Sequence, residues 1–183
     1  MARLPIILPE EAKGKARSLL SDVQKKLGLI PNMIRVMANS PATLEAYLQL
    51  SSALEDGSLD AKCRERIALE TAEANQCEYC LSAHSAIGKM VGLDDGEILE
   101  SRHAYARDPK ANAALRFSRS VVEKRGVVND ADIDPARKGG LTDGEIAEVV
   151  GLTVLNIFTN YFNAAFQIEV DFPRVSPARR ASV

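Results

Sequence analysis

The sequence predicts an all-α fold, and three observations indicate it. Helix caps and helix breakers recur along the 183 residues, as they do at the ends of successive helices. The alternation of apolar and polar residues that is typical of strands is nearly missing. Apolar residues make up 46% of the chain and charged residues 26%, which is the balance of a folded globular protein with one sizeable core.

Each helix can be assigned from the residues at its ends. Asp, Ser or Thr side chains cap a first turn, Pro favours the first helical position, and Gly follows the last turn. The final helix follows a capping box between Thr142 and Glu145. On these signals the predicted helices span residues 10–26, 31–37, 41–54, 60–74, 77–91, a short helix from 94, 109–126 and 142–166. We expect a single helical domain with an N-terminal extension (1–57), a core (58–172) and a loose tail (173–183).

Composition excludes several classes of function. A net charge of −2 leaves no basic face for nucleic acid or an anionic membrane, and Trp is absent. The longest apolar segment, 149–166, contains Thr and Asn residues at short intervals, which makes it too polar for a membrane span. Only three cysteines are present, and two are close together, which favours the reducing cytosol over a disulfide framework. We expect a cytoplasmic protein that binds neither nucleic acid nor membrane.

The most informative motif is a pair of cysteines followed by a histidine. Cys77 and Cys80 are three residues apart, and His84 lies one turn beyond Cys80. Residues at this spacing are neighbours on a helix, so the two thiols can form a disulfide and the imidazole can act as a base. A helix N-terminus near Cys77 favours the thiolate, since the positive end of the helix dipole lowers the pKa of a thiol there. The motif indicates redox chemistry, although buried cysteines and histidines without chemistry are common.

The preceding helix adds a carboxylate. Glu65 lies on the same helical stripe as Ala68, Leu69 and Ala72, and a charge on an apolar face usually has a partner. Because the connection at residues 75–76 is short, the two helices are expected to lie side by side, and Glu65 can then reach His84. The alternative is that Glu65 pairs with a neighbouring arginine as ordinary surface charge.

Other interpretations of these residues stay open. Two thiolates, an imidazole and a carboxylate can form a tetrahedral zinc site, although structural zinc sites usually draw on ligand pairs that are separated in sequence. The chain can also be a non-catalytic oligomeric protein with vestigial thiols. The third cysteine, Cys63, lies between Lys62 and Arg64, and these cations can lower its thiol pKa. With no partner nearby in the sequence, we interpret Cys63 as incidental.

The run from Arg64 to His84 carries the pattern E-x11-C-x2-C-x3-H and resembles the core of the alkylhydroperoxidase D family, within the carboxymuconolactone decarboxylase superfamily. Segments 28–33, 40–41 and 141–172 resemble its longer, peroxidase-related branch. The resemblance implies an all-helical bundle that assembles into a homo-oligomer, often a trimer or a dimer of trimers. It implies no cofactor and no bound metal.

The resemblance also implies roles for the site residues. Cys80 attacks the O–O bond of a small hydroperoxide, and Cys77 resolves the resulting sulfenic acid as a disulfide. Glu65 and His84 relay protons. A thiol reductant then reduces the disulfide; in the best-studied members this reductant is a dihydrolipoyl protein, and its identity for this chain stays open.

One position departs from the family pattern. Some members carry a second histidine inside the cysteine motif, where this chain has Tyr79. A phenol is a poor base near neutral pH, so the proton relay rests on Glu65 and His84. Decarboxylase members of the superfamily generally lack the cysteine motif, which makes a decarboxylase-like enzyme the weaker alternative.

The final predicted helix suggests two further hypotheses. Its apolar residues go almost all the way round, which is typical of a central helix or of one covered by another subunit. We expect its asparagines, at 156, 160 and 163, to find partners across such an interface. Polar residues also occur 83 positions after each residue of the candidate site, which would fit an ancient duplication of the helix pair with one inactive copy. They are Glu148, Asn160, Asn163 and Gln167.

Overall fold

The computed structural model describes residues 2–178 and confirms the all-α fold. This part of the chain forms nine α-helices and no strand. The helices are α1 (Gly14–Leu27), α2 (Asn32–Met37), α3 (Pro41–Glu55), α4 (Ala61–Ala74), α5 (Glu78–Met90), α6 (Asp95–Arg102), α7 (Pro109–Glu123), α8 (Asp130–Lys138) and α9 (Asp143–Phe166).

Most helix ends follow the local signals of the sequence. Asp60 caps α4 by accepting the backbone N–H of Cys63 at 2.7 Å. Thr142 and Glu145 form the predicted capping box at the start of α9. Gly28 ends α1 with a φ of 75°, a left-handed conformation that glycine adopts without steric cost. These ends are set by short-range hydrogen bonds, which is why the sequence predicts them.

Two elements differ from the prediction. Helix α1 begins at Gly14 instead of residue 10, because the backbone N–H groups of Glu11 and Ala12 donate to the Leu8 carbonyl and form a separate turn. Helix α8 was not predicted, although its start carries a capping box between Asn129 and Asp132. A proline inside a helix removes a hydrogen-bond donor and lowers helix propensity. Because of Pro135, the local sequence therefore did not predict this short helix.

Helix α4 lies at the centre of the fold, where it packs against α5, α6, α7 and α9. Leu69 of α4 belongs to an apolar cluster with α1, α2, α3 and α5, including Leu20, Met37 and Leu81. Ile67, on another face of α4, belongs to a second cluster with α7, α8 and α9. Because both clusters hold α4 in place, a polar side chain on this helix occupies a defined position relative to α5.

Helix α9 is 24 residues long, and its length and apolar composition alone would allow it to cross a membrane. Its threonine and asparagine side chains, however, face the interior of the protein. Asn156, Asn160 and Asn163 are each at most 6% exposed. The expectation that these asparagines point into a subunit interface is therefore wrong, since packing against α3, α4 and α5 buries them within the chain.

The hypothesis of a duplicated helix pair finds no second pair in the described residues. Residues 75–77 form a non-helical connection between α4 and α5, whereas α9 is one continuous helix from Asp143 to Phe166. Glu148, Asn160 and Asn163 thus all lie on one helix. The spacing of 83 residues does not correspond to a repeated structure.

The C-terminal segment crosses the outer side of α4, α5 and α6 as far as residue 178. The backbone N–H of Val175 donates to Ser82, and the backbone N–H of Ala178 donates to Glu73 at 2.7 Å. Arg102 donates to the Ser176 carbonyl at 3.0 Å. Of the tail predicted to be loose, residues 179–183 lie outside the described part of the chain.

Candidate active site

The two motif cysteines lie where α4 ends and α5 begins. Gln76 adopts a positive φ of 57°, which turns the chain sharply, and Cys77 becomes the N-cap residue of α5. The Sγ atom of Cys77 accepts the backbone N–H of Cys80 at 3.2 Å. The pair therefore occupies the positive end of the α5 dipole, the position predicted for it.

Cys77 and Cys80 form a disulfide, with their Cα atoms 5.3 Å apart. This confirms the prediction that residues at this spacing can pair. Both residues are buried, Cys77 at 5% and Cys80 at 2% exposure.

Glu65 and His84 meet as the sequence predicted. Oε2 of Glu65, on α4, lies 2.8 Å from Nδ1 of His84, on α5, and both side chains are mostly buried. A carboxylate at this distance accepts a hydrogen bond from Nδ1–H and holds the imidazole in one tautomer and orientation. Nε2 is then the nitrogen that can take up or release a proton.

A cavity of about 370 Å³ brings these groups together. Its lining includes Cys80, Glu65 and His84, but not Cys77. Most of its remaining wall is apolar and comes from α1, α3, α5, α9 and the C-terminal segment; it includes Leu27, Leu48, Leu152, Leu155 and Phe172. A molecule in this cavity can therefore reach one sulfur of the pair and the carboxylate–imidazole pair together.

Tyr79, which stands where some relatives have a second histidine, belongs to the wall of the cavity. Its hydroxyl accepts the backbone N–H of Met33 at 3.2 Å, and its ring packs edge-on against Phe172. Burial strongly raises the pKa of the Tyr79 phenol. Tyr79 therefore stays protonated and packs as a wall residue.

A second tyrosine lies beside the carboxylate. Tyr47, on α3, lines the same cavity and is half-buried. Burial, together with the negative charges of Glu65 and Glu55, raises the pKa of Tyr47 to about 12. Its phenol thus remains neutral and can act as a hydrogen-bond donor near the cavity, but not as a base.

Asn163 contacts the pair although the sequence did not identify it as a site residue. Its Nδ2 atom donates to Sγ of Cys80 at 3.2 Å and lies 3.5 Å from the sulfur of Met33. The available signal was weak: an asparagine on a largely apolar helix, aligned with two others at helical spacing. Only the packing of α9 against α5 shows that this asparagine touches the Cys80 sulfur.

The zinc interpretation is not supported by the geometry. Nowhere in residues 2–178 do three His, Cys, Asp or Glu side chains converge closely enough to hold a metal ion. The two sulfurs are bonded to each other, and the carboxylate of Glu65 is directed to the imidazole of His84. The four groups therefore form a disulfide and a hydrogen-bonded pair, and a tetrahedral site would require both to be broken.

The remaining cysteine, Cys63, is buried on α4 away from this cavity. Burial, reinforced by the carboxylate of Asp60, raises the pKa of the Cys63 thiol to about 12. The nearby Arg66 opposes this effect only in part. Although neighbouring cations can lower the pKa of a thiol, loss of contact with water outweighs their effect on Cys63.

Known proteins share both the motif region and the fold. Residues 41–120 match the sequence profile of the carboxymuconolactone decarboxylase family. A curated uncharacterized protein from Haemophilus influenzae is 50% identical over 46 residues, which are 25% of this chain and 41% of that protein. The chain thus spans only about two fifths of the length of this curated relative.

Solved structures extend the similarity to nearly the whole chain. An uncharacterized peroxidase-related protein from Ralstonia eutropha JMP134, with an alkylhydroperoxidase AhpD core, is 27% identical, with a TM-score of 0.84 over 93% of this chain and 92% of that one. The debrominase Bmp8, solved as a variant with 2,3,4-tribromopyrrole, is 18% identical, with a TM-score of 0.73 over 86% of each chain, and shares the fold alone. The matched segment and the shared fold support a place in the alkylhydroperoxidase D-like branch of the carboxymuconolactone decarboxylase superfamily.

Proposed function

We propose that this protein is a thiol-dependent hydroperoxidase in which Cys80 attacks and Cys77 resolves. One observation carries the assignment: of the two cysteines, only Cys80 lines the cavity that also contains Glu65 and His84. A nucleophile must meet its substrate and a proton donor in one space, and Cys80 satisfies both requirements.

The reaction begins from the reduced pair. The Cys80 thiolate attacks the terminal oxygen of a hydroperoxide, the O–O bond breaks, and Cys80 becomes a sulfenic acid. The departing alkoxide takes a proton from Nε2 of His84, whose imidazolium Glu65 stabilises through Nδ1. Cys77 then attacks the Cys80 sulfur, a disulfide forms, and the hydroxyl leaves as water. A dithiol reductant supplies the two electrons that restore the pair.

The partners follow from this scheme. The reductant must exchange thiols with a disulfide buried at the start of α5, and a dihydrolipoyl protein is the kind that the family resemblance implies. We place the reaction in the cytoplasm, because reducing compartments sustain such an exchange. The scheme needs no cofactor and no metal.

We also propose a homo-oligomer, a trimer or hexamer, with α9 at its interface. The outer side of α9 exposes three large apolar side chains: Val154 at 50%, Phe158 at 37% and Tyr161 at 62%. Apolar residues grouped on one exposed helix face are typical of protein interfaces. Tyr161→Glu is expected to shift the mass measured by light scattering toward the protomer, while Met90→Glu, exposed on α5, serves as the control. An unchanged mass for Tyr161→Glu would contradict the proposed interface.

The direct test of the function is the intact mass of reduced protein before and after one equivalent of cumene hydroperoxide. The parent protein should lose two hydrogens, and these should map to a Cys77–Cys80 disulfide. Cys77→Ser should gain one oxygen on Cys80, and Cys80→Ser should not react at its remaining motif thiol. Cys63→Ser, which removes the cysteine outside the cavity, should behave as the parent protein does.

Other outcomes would overturn the proposal. A Cys80→Ser protein that still consumes the hydroperoxide would exclude Cys80 as the nucleophile. The parent protein could instead leave the hydroperoxide intact but debrominate 2,3,4-tribromopyrrole in the presence of a dithiol. That result would show that the substrate is a halogenated aromatic compound and not a hydroperoxide. Protein that retains both free thiols with each reagent would support the non-catalytic interpretation.

A further inference from the structure

Each sulfur of the redox pair has its own hydrogen-bond donor, and the two donors come from different parts of the fold. Cys77, as the N-cap residue, accepts the backbone N–H of Cys80 at 3.2 Å. Cys80 lies within the first turn of α5, and the donor that reaches its sulfur is the side-chain amide of Asn163, also at 3.2 Å. Asn163 therefore supplies to Cys80 what the helix start supplies to Cys77.

Asn163 is not explained by its contribution to stability. It is only 4% exposed, and its Oδ1 atom has no hydrogen-bond partner within residues 2–178. Burying an amide carbonyl without a partner costs free energy. An apolar side chain of similar size would avoid that cost on a helix whose other residues are largely apolar. The contact with sulfur is what the amide gains in return.

That gain depends on the redox state. A sulfur in a disulfide is a weak acceptor, whereas a thiolate is charged, and hydrogen bonds to charged acceptors are about twice as strong. Cys80 is only 2% exposed, so water has little access to its sulfur and competes weakly with the amide. The bond from Nδ2 therefore strengthens when the disulfide is reduced and Cys80 loses its proton.

We propose that Asn163 is a positioning residue that stabilises the Cys80 thiolate through its Nδ2–H group. This inference deepens the proposed function, since it rests on Cys80 as the reactive thiol, but it does not depend on which oxidant Cys80 meets. It has two consequences. Asn163 increases the fraction of Cys80 present as thiolate at neutral pH, and it makes the disulfide easier to reduce, because it favours the reduced form.

The test measures thiolate formation without any peroxide. In the Cys77→Ser background, reduced protein is alkylated with iodoacetamide across a pH series, and the labelled peptides are quantified by mass spectrometry. Trypsin cleaves after Lys62 and Arg64, so Cys63 falls in a separate peptide and does not interfere. Asn163→Leu removes the donor and keeps the number of side-chain heavy atoms. Asn160→Leu, a buried asparagine on the same helix that does not line the cavity, is the matched control.

We expect Asn163→Leu to slow the alkylation of Cys80 at neutral pH by roughly tenfold and to move its midpoint to higher pH, because a lost hydrogen bond to a charged group has about this effect. Asn160→Leu should stay within about twofold of the parent. In the natural pair, Asn163→Leu should also make the disulfide harder to reduce in dithiothreitol buffers. A pH profile for Asn163→Leu that overlays the parent profile would overturn the inference.

Two further measurements separate a folding defect from the loss of the hydrogen-bond donor, and the role of Asn163 from the peroxidase function. If Asn163→Leu does not fold, as judged by circular dichroism, Asn163→Ala removes the same donor without adding bulk and carries the same prediction. If the parent protein fails to consume cumene hydroperoxide while Asn163→Leu still shifts the alkylation profile, the peroxidase function is wrong and the role of Asn163 stands.

Discussion

Replacing Glu65 by glutamine should slow the oxidation of the reduced cysteine pair. Glu65 touches no sulfur directly; its contact is Nδ1 of His84, at 2.8 Å. In the proposed reaction His84 carries a positive charge before it protonates the departing alkoxide. A neutral amide at position 65 can still form a hydrogen bond to the ring, but it no longer stabilises that charge.

The size of the effect follows from the burial of the pair. The side chains of Glu65 and His84 are only 16% and 22% exposed, so solvent screens their interaction weakly. Hydrogen bonds to charged groups in such settings contribute about 1.5–3 kcal/mol. Loss of that stabilisation in the transition state would reduce the rate about 10- to 100-fold, at roughly 1.4 kcal/mol for each factor of ten.

The assay mixes reduced protein with excess cumene hydroperoxide, quenches it with an alkylating reagent at successive times, and follows the fraction of disulfide by intact mass. Glu73→Gln is the matched control. Glu73 is a buried carboxylate on the same helix, paired with Arg102 at 2.7 Å, but it does not line the cavity. Loss of stability alone would therefore appear in both variants, while loss of rate should appear only in Glu65→Gln. A rate for Glu65→Gln within about twofold of the parent would refute the role of the carboxylate.

Three further predictions concern groups outside the reaction. Cys63 should resist iodoacetamide in native protein near neutral pH and react only after unfolding, because burial raises its pKa to about 12; rapid labelling of native protein would contradict this. Burial disfavours the charge of Glu148, but hydrogen bonds from two backbone N–H groups of the turn before α4 outweigh it and lower its pKa. Ionised Glu148 therefore stabilises the fold at pH values above the pKa of an ordinary carboxyl group, and this stabilisation is lost as the pH falls through the lowered pKa of Glu148. In Glu148→Gln, the unfolding free energy measured by urea denaturation should fall less steeply as the pH is lowered than it does in the parent protein. Equal pH dependence in the two proteins would contradict this prediction. Arg119→Ala should cost about 3 kcal/mol of unfolding free energy, because it leaves the fully buried carboxylate of Glu70 without its cation. A cost below about 1 kcal/mol would show that this pair contributes little.

Much of the site could be predicted from the sequence because its members are close along the chain. Cys77, Cys80 and His84 lie within eight residues on one helix, and helical geometry alone aligns them. Glu65 could be added because a connection of only a few residues forces consecutive helices to lie side by side. The helix ends followed for the same reason, since caps act over three or four residues.

Other features depended on tertiary packing. The sequence shows two cations beside Cys63, yet its pKa is raised, because burial depends on which helices cover it. The asparagines of α9 were expected to find partners across a subunit interface, but the packing of that helix buries them within the chain. Helix α8 was missed because Pro135 weakens the local preference that neighbouring helices overcome.

The amino-acid sequence by itself determined the all-α class, the cysteine pair at the start of a helix, and the carboxylate that reaches the histidine. Tertiary structure alone decided that one sulfur of the pair faces a cavity and that Asn163 reaches that sulfur from 83 residues away. The physical reason is the range of the interactions. Helix geometry relates residues a few positions apart, whereas a contact between α5 and α9 depends on how the whole core packs around α4.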